Sequence, residues 1–371
     1  MSNAVYSIAK SIAGPKRADE SGNQDHCIQW SQAGWEFIVV ADGHGSAPHK
    51  HSRLGSKYAC QSASEVVEDF VNKIDVSAQP VFKSLKKWWE QEAFVSIHEL
   101  WNKKVEHDLI QAIKEGRQDF SDVKEISYSV GKQGQEVQYG TTLLCSLSYG
   151  SSVALGQVGD GLIAVTGSNV NFPLATSKEE LDNTRSETDS LCNPHPNPKF
   201  KAFKAAKPPR MIIACTDGID DAFESIDAIE KWALKLSIDE KSEDHEELQS
   251  SIKVFLQQCA LASGDDSTIG IIFNSEGDVP ELKEEEVLAS PAQAITATSE
   301  ANNDDMESIS DHPERHDRGE KRESSGLEGK DELNIDPLRN RDLSDDSIGG
   351  EVHSDGDEDS EQKLTDSGRS E

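Results

Sequence analysis

Four apolar, β-branched runs in this chain end on, or start from, an aspartate beside a glycine. That repetition constrains the fold more than any other feature. Phe37-Ile38-Val39-Val40-Ala41 runs into Asp42-Gly43-His44-Gly45. Ser152-Val153-Ala154-Leu155-Gly156-Gln157-Val158 runs into Gly159-Asp160-Gly161, and Met211-Ile212-Ile213-Ala214-Cys215-Thr216 into Asp217-Gly218. The fourth run, Thr268 to Phe273, follows Gly264-Asp265-Asp266-Ser267. Such runs read as buried strands. If the last strand is antiparallel to its neighbour, all of these carboxylates reach one edge of a sheet system. Crowded carboxylates repel one another, and a divalent cation relieves that repulsion. Asp42 alone could equally be capping a turn. Its recurrence points to an oxygen-rich site for Mg²⁺ or Mn²⁺. Zinc fits poorly, because the six cysteines show no CxxC or Cys/His ligand spacing. His44 adds a group able to move a proton near neutral pH.

The formal net charge of −32 is unevenly spread. Residues 276–371 hold 30 Asp and Glu against 10 Lys and Arg, with no Phe, Trp or Tyr. Such a segment buries too little apolar surface to offset its ordering entropy and is expected to be disordered. The expected domains are therefore a folded unit over 1–275, ending near Phe273 or Asn274, and an acidic tail over 276–371. A chain this acidic is a poor non-specific ligand for nucleic acid. No stretch approaches the ~20 apolar residues that span a membrane, and the N-terminus lacks the pattern of a secretory signal. Unpatterned cysteines fit a reducing compartment, so the expected location is cytoplasmic.

Between the site-bearing strands, the 3.6-residue apolar period predicts a helix from His51 to Ile74 and a longer one from Val81 to about Lys114, with its tryptophans as core anchors. Thr141–Ser148 and Ser152–Val158 read as a hairpin around Tyr149-Gly150-Ser151, and Leu162–Thr166 as a further strand. Residues 168–209 are polar and Pro-rich and are expected to form an irregular, flap-like insertion. Helical segments follow around Ala222–Lys235 and Glu246–Ala262. Strands and helices come in blocks rather than in strict alternation. That argues for an α+β fold with antiparallel sheets.

The ordered set Asn23-Gln24-Asp25, Ala41-Asp42-Gly43-His44-Gly45, Tyr139-Gly140-Thr141-Thr142, Val158-Gly159-Asp160-Gly161, Thr216-Asp217-Gly218-Ile219 and Gly264-Asp265-Asp266-Ser267-Thr268 resembles the metal-dependent, 2C-type serine/threonine protein phosphatases over residues 5–274. The resemblance implies a four-layer α-β-β-α sandwich in which two antiparallel sheets face each other under helices. It implies two Mn²⁺ or Mg²⁺ ions bridged by Asp42, with the Gly43 carbonyl on the second and Asp217 on the first. The pattern Asp-x-x-Ser/Thr, counted back from Thr268, assigns Asp265 to the first ion, with the adjacent Asp266 as the alternative or as its support. Asp160 stands where the family places a third ion, although Gly-Asp-Gly-Leu replaces the usual Gly-Asp-Ser-Arg.

The common N-terminal motif Arg-x-x-Asn-Glu-Asp is altered: Gln24 replaces its Glu and Glu20 stands where its Arg would fall. Gly14-Pro15-Lys16-Arg17 followed by Gln24-Asp25 is closer to a bacterial-looking branch. That branch implies phosphate binding by Arg17 and orientation of metal-bound water by Asp25. The implied chemistry is in-line attack on phosphorus by a metal-bridged hydroxide, without a phosphoenzyme, with His44 protonating the leaving alkoxide. The implied partners are a phosphoprotein substrate and the serine/threonine kinase that opposes this enzyme. Two other readings stay open. Gln24 and Glu20 are compatible with a pseudophosphatase that only binds, and the acidic tail with a module that recognises a basic partner.

Overall fold

The computed structural model describes residues 5–15, 22–77, 80–117, 134–166, 189–223 and 245–278, with single helical positions at 228, 232, 233 and 236. Arg17, Glu20, residues 167–188 of the insertion, most of the helix expected at 222–235 and the tail from 279 onward lie outside the described residues.

Among the described residues, nine strands form two antiparallel sheets. They are β1 (Val5–Ile12), β2 (His26–Gln32), β3 (Trp35–Ala41), β4 (Leu143–Tyr149), β5 (Ser152–Val158), β6 (Leu162–Thr166), β7 (Lys199–Lys204), β8 (Met211–Cys215) and β9 (Ser267–Asn274). One sheet has the order β1-β9-β8-β6 and the other β2-β3-β4-β5-β7. The last strand is antiparallel to both neighbours, with Cys215 opposite Ile269 and Ile12 opposite Ser267. The C-terminal end of β8 therefore meets the N-terminal end of β9, as the aspartate positions require.

The two-residue period of the strands sorts side chains into three cores, which separate four layers. Ile38 and Val40 of β3, with Leu144 beside them on β4, face the other sheet, where they meet Ile212, Ala214 and Ile272. Phe37, Val39 and Ala41 point the other way, into helices α1 (Ser52–Lys73) and α3 (Phe94–Glu115). On the far side, Ile213, Ile271 and Phe273 pack under α5 (His245–Ser263). Burial on both faces is why β3, β8 and β9 are written as continuous apolar runs.

The helix expected as one piece from Val81 is α2 (Val81–Trp88), a π-helical turn over Trp89–Ala93, and then α3. Its buried positions, Leu85, Trp89, Ala93, Ile97 and Trp101, recur every four residues. In an α-helix that spacing drifts by about 40° per step, and a wider turn takes the drift back. Trp89 thereby donates to the Leu155 carbonyl (2.9 Å) and Trp101 to the Gly55 carbonyl (3.1 Å).

The insertion needs one correction. Residues 199–204 are not irregular: Lys-Phe-Lys-Ala-Phe-Lys forms β7, the edge partner of β5. Alternation puts Phe200 against Trp89 (ring centroids 5.4 Å apart) and leaves lysines on an exposed edge, a pattern that discourages further strand pairing. The described fold also runs slightly past Asn274. Gly277 donates to the Asn274 carbonyl and Asp278 bridges to Pro209.

Candidate metal centre

Three carboxylates from three strand ends converge. One oxygen each of Asp42 (after β3), Asp160 (after β5) and Asp217 (after β8) lie within 4.8 Å of one another, on partly buried side chains. Each is held by its backbone. The Asp42 N–H donates to Thr142 Oγ1 (2.9 Å), and its carbonyl accepts from the Thr142 N–H (2.9 Å) and Thr141 Oγ1 (2.7 Å). The Tyr139-Gly140-Thr141-Thr142 segment is therefore the bracket that fixes Asp42. The bracket is itself held by the returning insertion, where Ser190 Oγ accepts from the Thr141 N–H (3.0 Å).

Asp160 sits between Gly159 and Gly161, with φ of +88° and +90°. A Cβ on Gly161 would stand 2.5 Å from the Cys215 carbonyl oxygen, and one on Gly159 2.7 Å from that of Asp189. A side chain at position 161 would therefore not fit this backbone. Gln157 Nε2 donates to the carbonyls of both glycines (3.1 and 3.2 Å). Asp217 opens the single-turn helix α4 (Asp217–Asp220).

Asp25 is 5% exposed. Its Oδ2 accepts from Thr216 Oγ1 (2.9 Å), a hydroxyl that itself accepts the Thr268 N–H (3.1 Å) and so turns its proton toward Asp25. Its Oδ1 is buried without a donor. Burial, above all, raises the Asp25 carboxyl to about 7, with the charges of Asp266 and Asp217 adding. Burial and then the Asp25 charge raise Asp42 well above the usual carboxylate range; burial and the Asp42 charge do the same for Asp217. A buried acceptor with no donor, amid carboxylates that cannot all ionise alone, fits hard divalent cations with oxygen ligands.

The paired aspartates before β9 divide their roles. Asp265 bears on Asp42 and Asp217 through its charge, although it lies outside the 4.8 Å set. Asp266 is buried, with Oδ1 taking the Gly14 N–H (2.8 Å) and Oδ2 the Gln24 N–H (2.7 Å). Gly43 is buried where a Cβ would come 2.7 Å from the Gln24 carbonyl oxygen, and its backbone pairs with Thr141. The His44 ring lies 4.9 Å from that of His49, and burial first, then His49, pulls its pKa down to about 4. His44 is therefore neutral at pH 7, a condition the sequence did not reveal. Thr142 and Thr216 stood in the motifs without an assigned role, and Gln157 and Ser190 escaped the sequence reading, because all four act by holding the backbone or side chains of the aspartates in place. All six cysteines are free, and burial, then the Asp25 charge, raises Cys27, the one beside Asp25, to about 12.

A sequence profile described as Protein phosphatase 2C matches residues 15–257. No curated protein matches the chain. Among solved structures, a bacterial serine phosphatase is 17% identical over 74% of this chain and 99% of its own, with a TM-score of 0.47. The serine/threonine phosphatase Stp1 from Staphylococcus aureus is 14% identical over 74% of this chain and 96% of its own, with a TM-score of 0.47. The catalytic domain of the serine/threonine protein phosphatase PstP, solved with 2 manganese ions, is 16% identical over 72% of this chain and 97% of its own, with a TM-score of 0.42.

Proposed function

Since the chain belongs to the protein phosphatase 2C family and is a phosphoprotein phosphatase, we propose that it hydrolyses phosphoserine and phosphothreonine using divalent ions held by Asp42, the Gly43 carbonyl, Asp160, Asp217 and Asp265. The observation that carries this reading is the convergence of Asp42, Asp160 and Asp217 within 4.8 Å. Mn²⁺ or Mg²⁺ bound there supplies an acidified water and positive charge for phosphoryl oxygens. Asp25, with one oxygen held by Thr216 and the other without a donor, is placed to accept a hydrogen bond at its second oxygen and would orient a water there. Asp266 serves as a clasp joining Gly14 to Gln24, on either side of the position of Arg17, rather than as a ligand, and Arg17 binds the phosphate. A serine alkoxide is a poor leaving group and needs a proton. His44 gives it once the negative charge of bound substrate has raised its pKa from the low value burial imposes.

The catalytic unit comprises residues 1–275, the acidic segment 276–371 lies outside it, and the enzyme works in the cytoplasm opposite a serine/threonine kinase. Among the described residues, no helix is long and apolar enough to cross a membrane. The test is Mn²⁺- and Mg²⁺-dependent release of phosphate from phosphoserine, phosphothreonine and phosphotyrosine peptides. Asp42→Ala should lower the first two by at least about 10³-fold. Metal-independent turnover, or full activity of Asp42→Ala, would refute the reading.

A further inference from the structure

A cleft of about 880 Å³ is lined by Asn23, Gln24 and Asp25 together with Lys50, Arg53 and Lys57. The three cations are exposed at the start of α1, and none of their side chains pairs with a carboxylate among the described residues. What sets them apart is their grouping: three exposed cations share one cleft in a chain of net charge −32. The first turn of α1 also holds no acidic residue. Asp25 belongs both to this cleft and to the carboxylate cluster, so the cleft begins where the reaction is proposed to occur.

We infer that this cleft selects substrates carrying further negative charge close to the scissile phosphate: acidic side chains or a second phosphate within a few residues of the phosphoserine. The inference rests on the phosphatase reading above. Arg53 and Lys57 are one helical turn apart, about 6 Å along the axis. Alternate side chains of an extended peptide are separated by nearly the same distance, about 7 Å. An acidic strand laid along α1 therefore meets one cation with every second residue. Such a surface attracts its ligand through solvent, so its effect falls as salt rises.

The test measures kcat/KM of the full chain with Mn²⁺ on three phosphoserine peptides: one neutral, one with glutamates at alternate positions, and one with a second phosphoserine. p-Nitrophenyl phosphate serves as a substrate too small to reach the cleft. The charged peptides should be preferred about ten-fold at low salt. That preference should collapse in Arg53→Gln/Lys57→Gln and at 0.5 M NaCl, with less than two-fold change on the neutral peptide and p-nitrophenyl phosphate. The single Lys57→Gln variant, with a thermal melt matching the parent, guards against loss of fold. Equal rates on the three peptides, or a uniform loss on all four substrates in a folded variant, would overturn the inference and leave the phosphatase reading intact. No turnover of any substrate would overturn both. A larger effect on the phosphoserine than on the glutamate peptide identifies phosphate as the favoured anion.

Discussion

Replacing Asp25 with Asn should stabilise the metal-free protein while disabling it. In the native state Asp25 titrates at about 7 instead of the ordinary 3.8, chiefly because it is buried. Between those values the native state binds more protons than the unfolded chain, so its stability falls as pH rises. The stabilising effect of protonated Asp25 is complete below pH 4 and has gone above about pH 7. A shift of this size corresponds to up to about 4 kcal/mol at pH 8. Asn avoids the penalty and can still accept from Thr216 Oγ1. Urea denaturation of EDTA-treated protein should therefore show Asp25→Asn within about 1 kcal/mol of the parent at pH 4.5 and exceeding it by several kcal/mol at pH 8. Added Mn²⁺ should narrow the gap, because a nearby cation favours the ionised carboxyl. Phosphopeptide turnover by the variant should fall at every pH. An equal effect of the substitution at both pH values, or a less stable variant at pH 8, would refute the assignment of Asp25 as a desolvated carboxylate.

Three further outcomes follow from the same geometry. His44→Ala should slow hydrolysis of phosphoserine peptides by about 10²-fold or more and that of p-nitrophenyl phosphate far less, since nitrophenolate leaves without a proton; equal losses would remove the proton-donor role. Gly161→Ala combines a left-handed φ with a 2.5 Å clash against the Cys215 carbonyl, and should cost about 1–3 kcal/mol by thermal denaturation and raise the Mn²⁺ concentration needed for activity. Thr142→Val leaves the Asp42 N–H without its acceptor, which should cost about 1–3 kcal/mol and weaken Mn²⁺ binding by calorimetry, with little change at saturating metal.

The strands that carry ligands were legible because burial on both faces leaves an uninterrupted apolar run, and the aspartate that ends it stands out. Leu162–Thr166 matches the structure residue for residue, and Ser152–Val158 does too. β7 was hidden because its apolar contribution is sparse: Phe200 and Phe203 pack on opposite faces, and two phenylalanines among lysines fall below the signal a central strand gives. The π turn was hidden for a different reason: a spacing of four is close enough to 3.6 to read as plain helix over short distances. Within the site, Asp42, Asp160 and Asp217 could be named from sequence because each ends a strand. The adjacent Asp265 and Asp266 could not be told apart until the N–H groups of Gly14 and Gln24 appeared on Asp266. Nor could spacing reveal that burial keeps His44 neutral.

The bonds from Gly14 and Gln24 to Asp266 also set an order of events. One carboxylate joins both ends of the Arg17 segment across 252 and 242 positions of chain, and among the described residues β1 finds its sheet partner in β9. Contacts of such sequence separation are slow to form, because a long loop must close before they contribute. A growing polypeptide therefore makes β3, β4 and β5, with Asp42 and Asp160 in place, well before the N-terminal wall has anything to fasten to. Competence arrives abruptly with the last strand, so a chain released short of Asn274 would hold most of its ligands and none of its function.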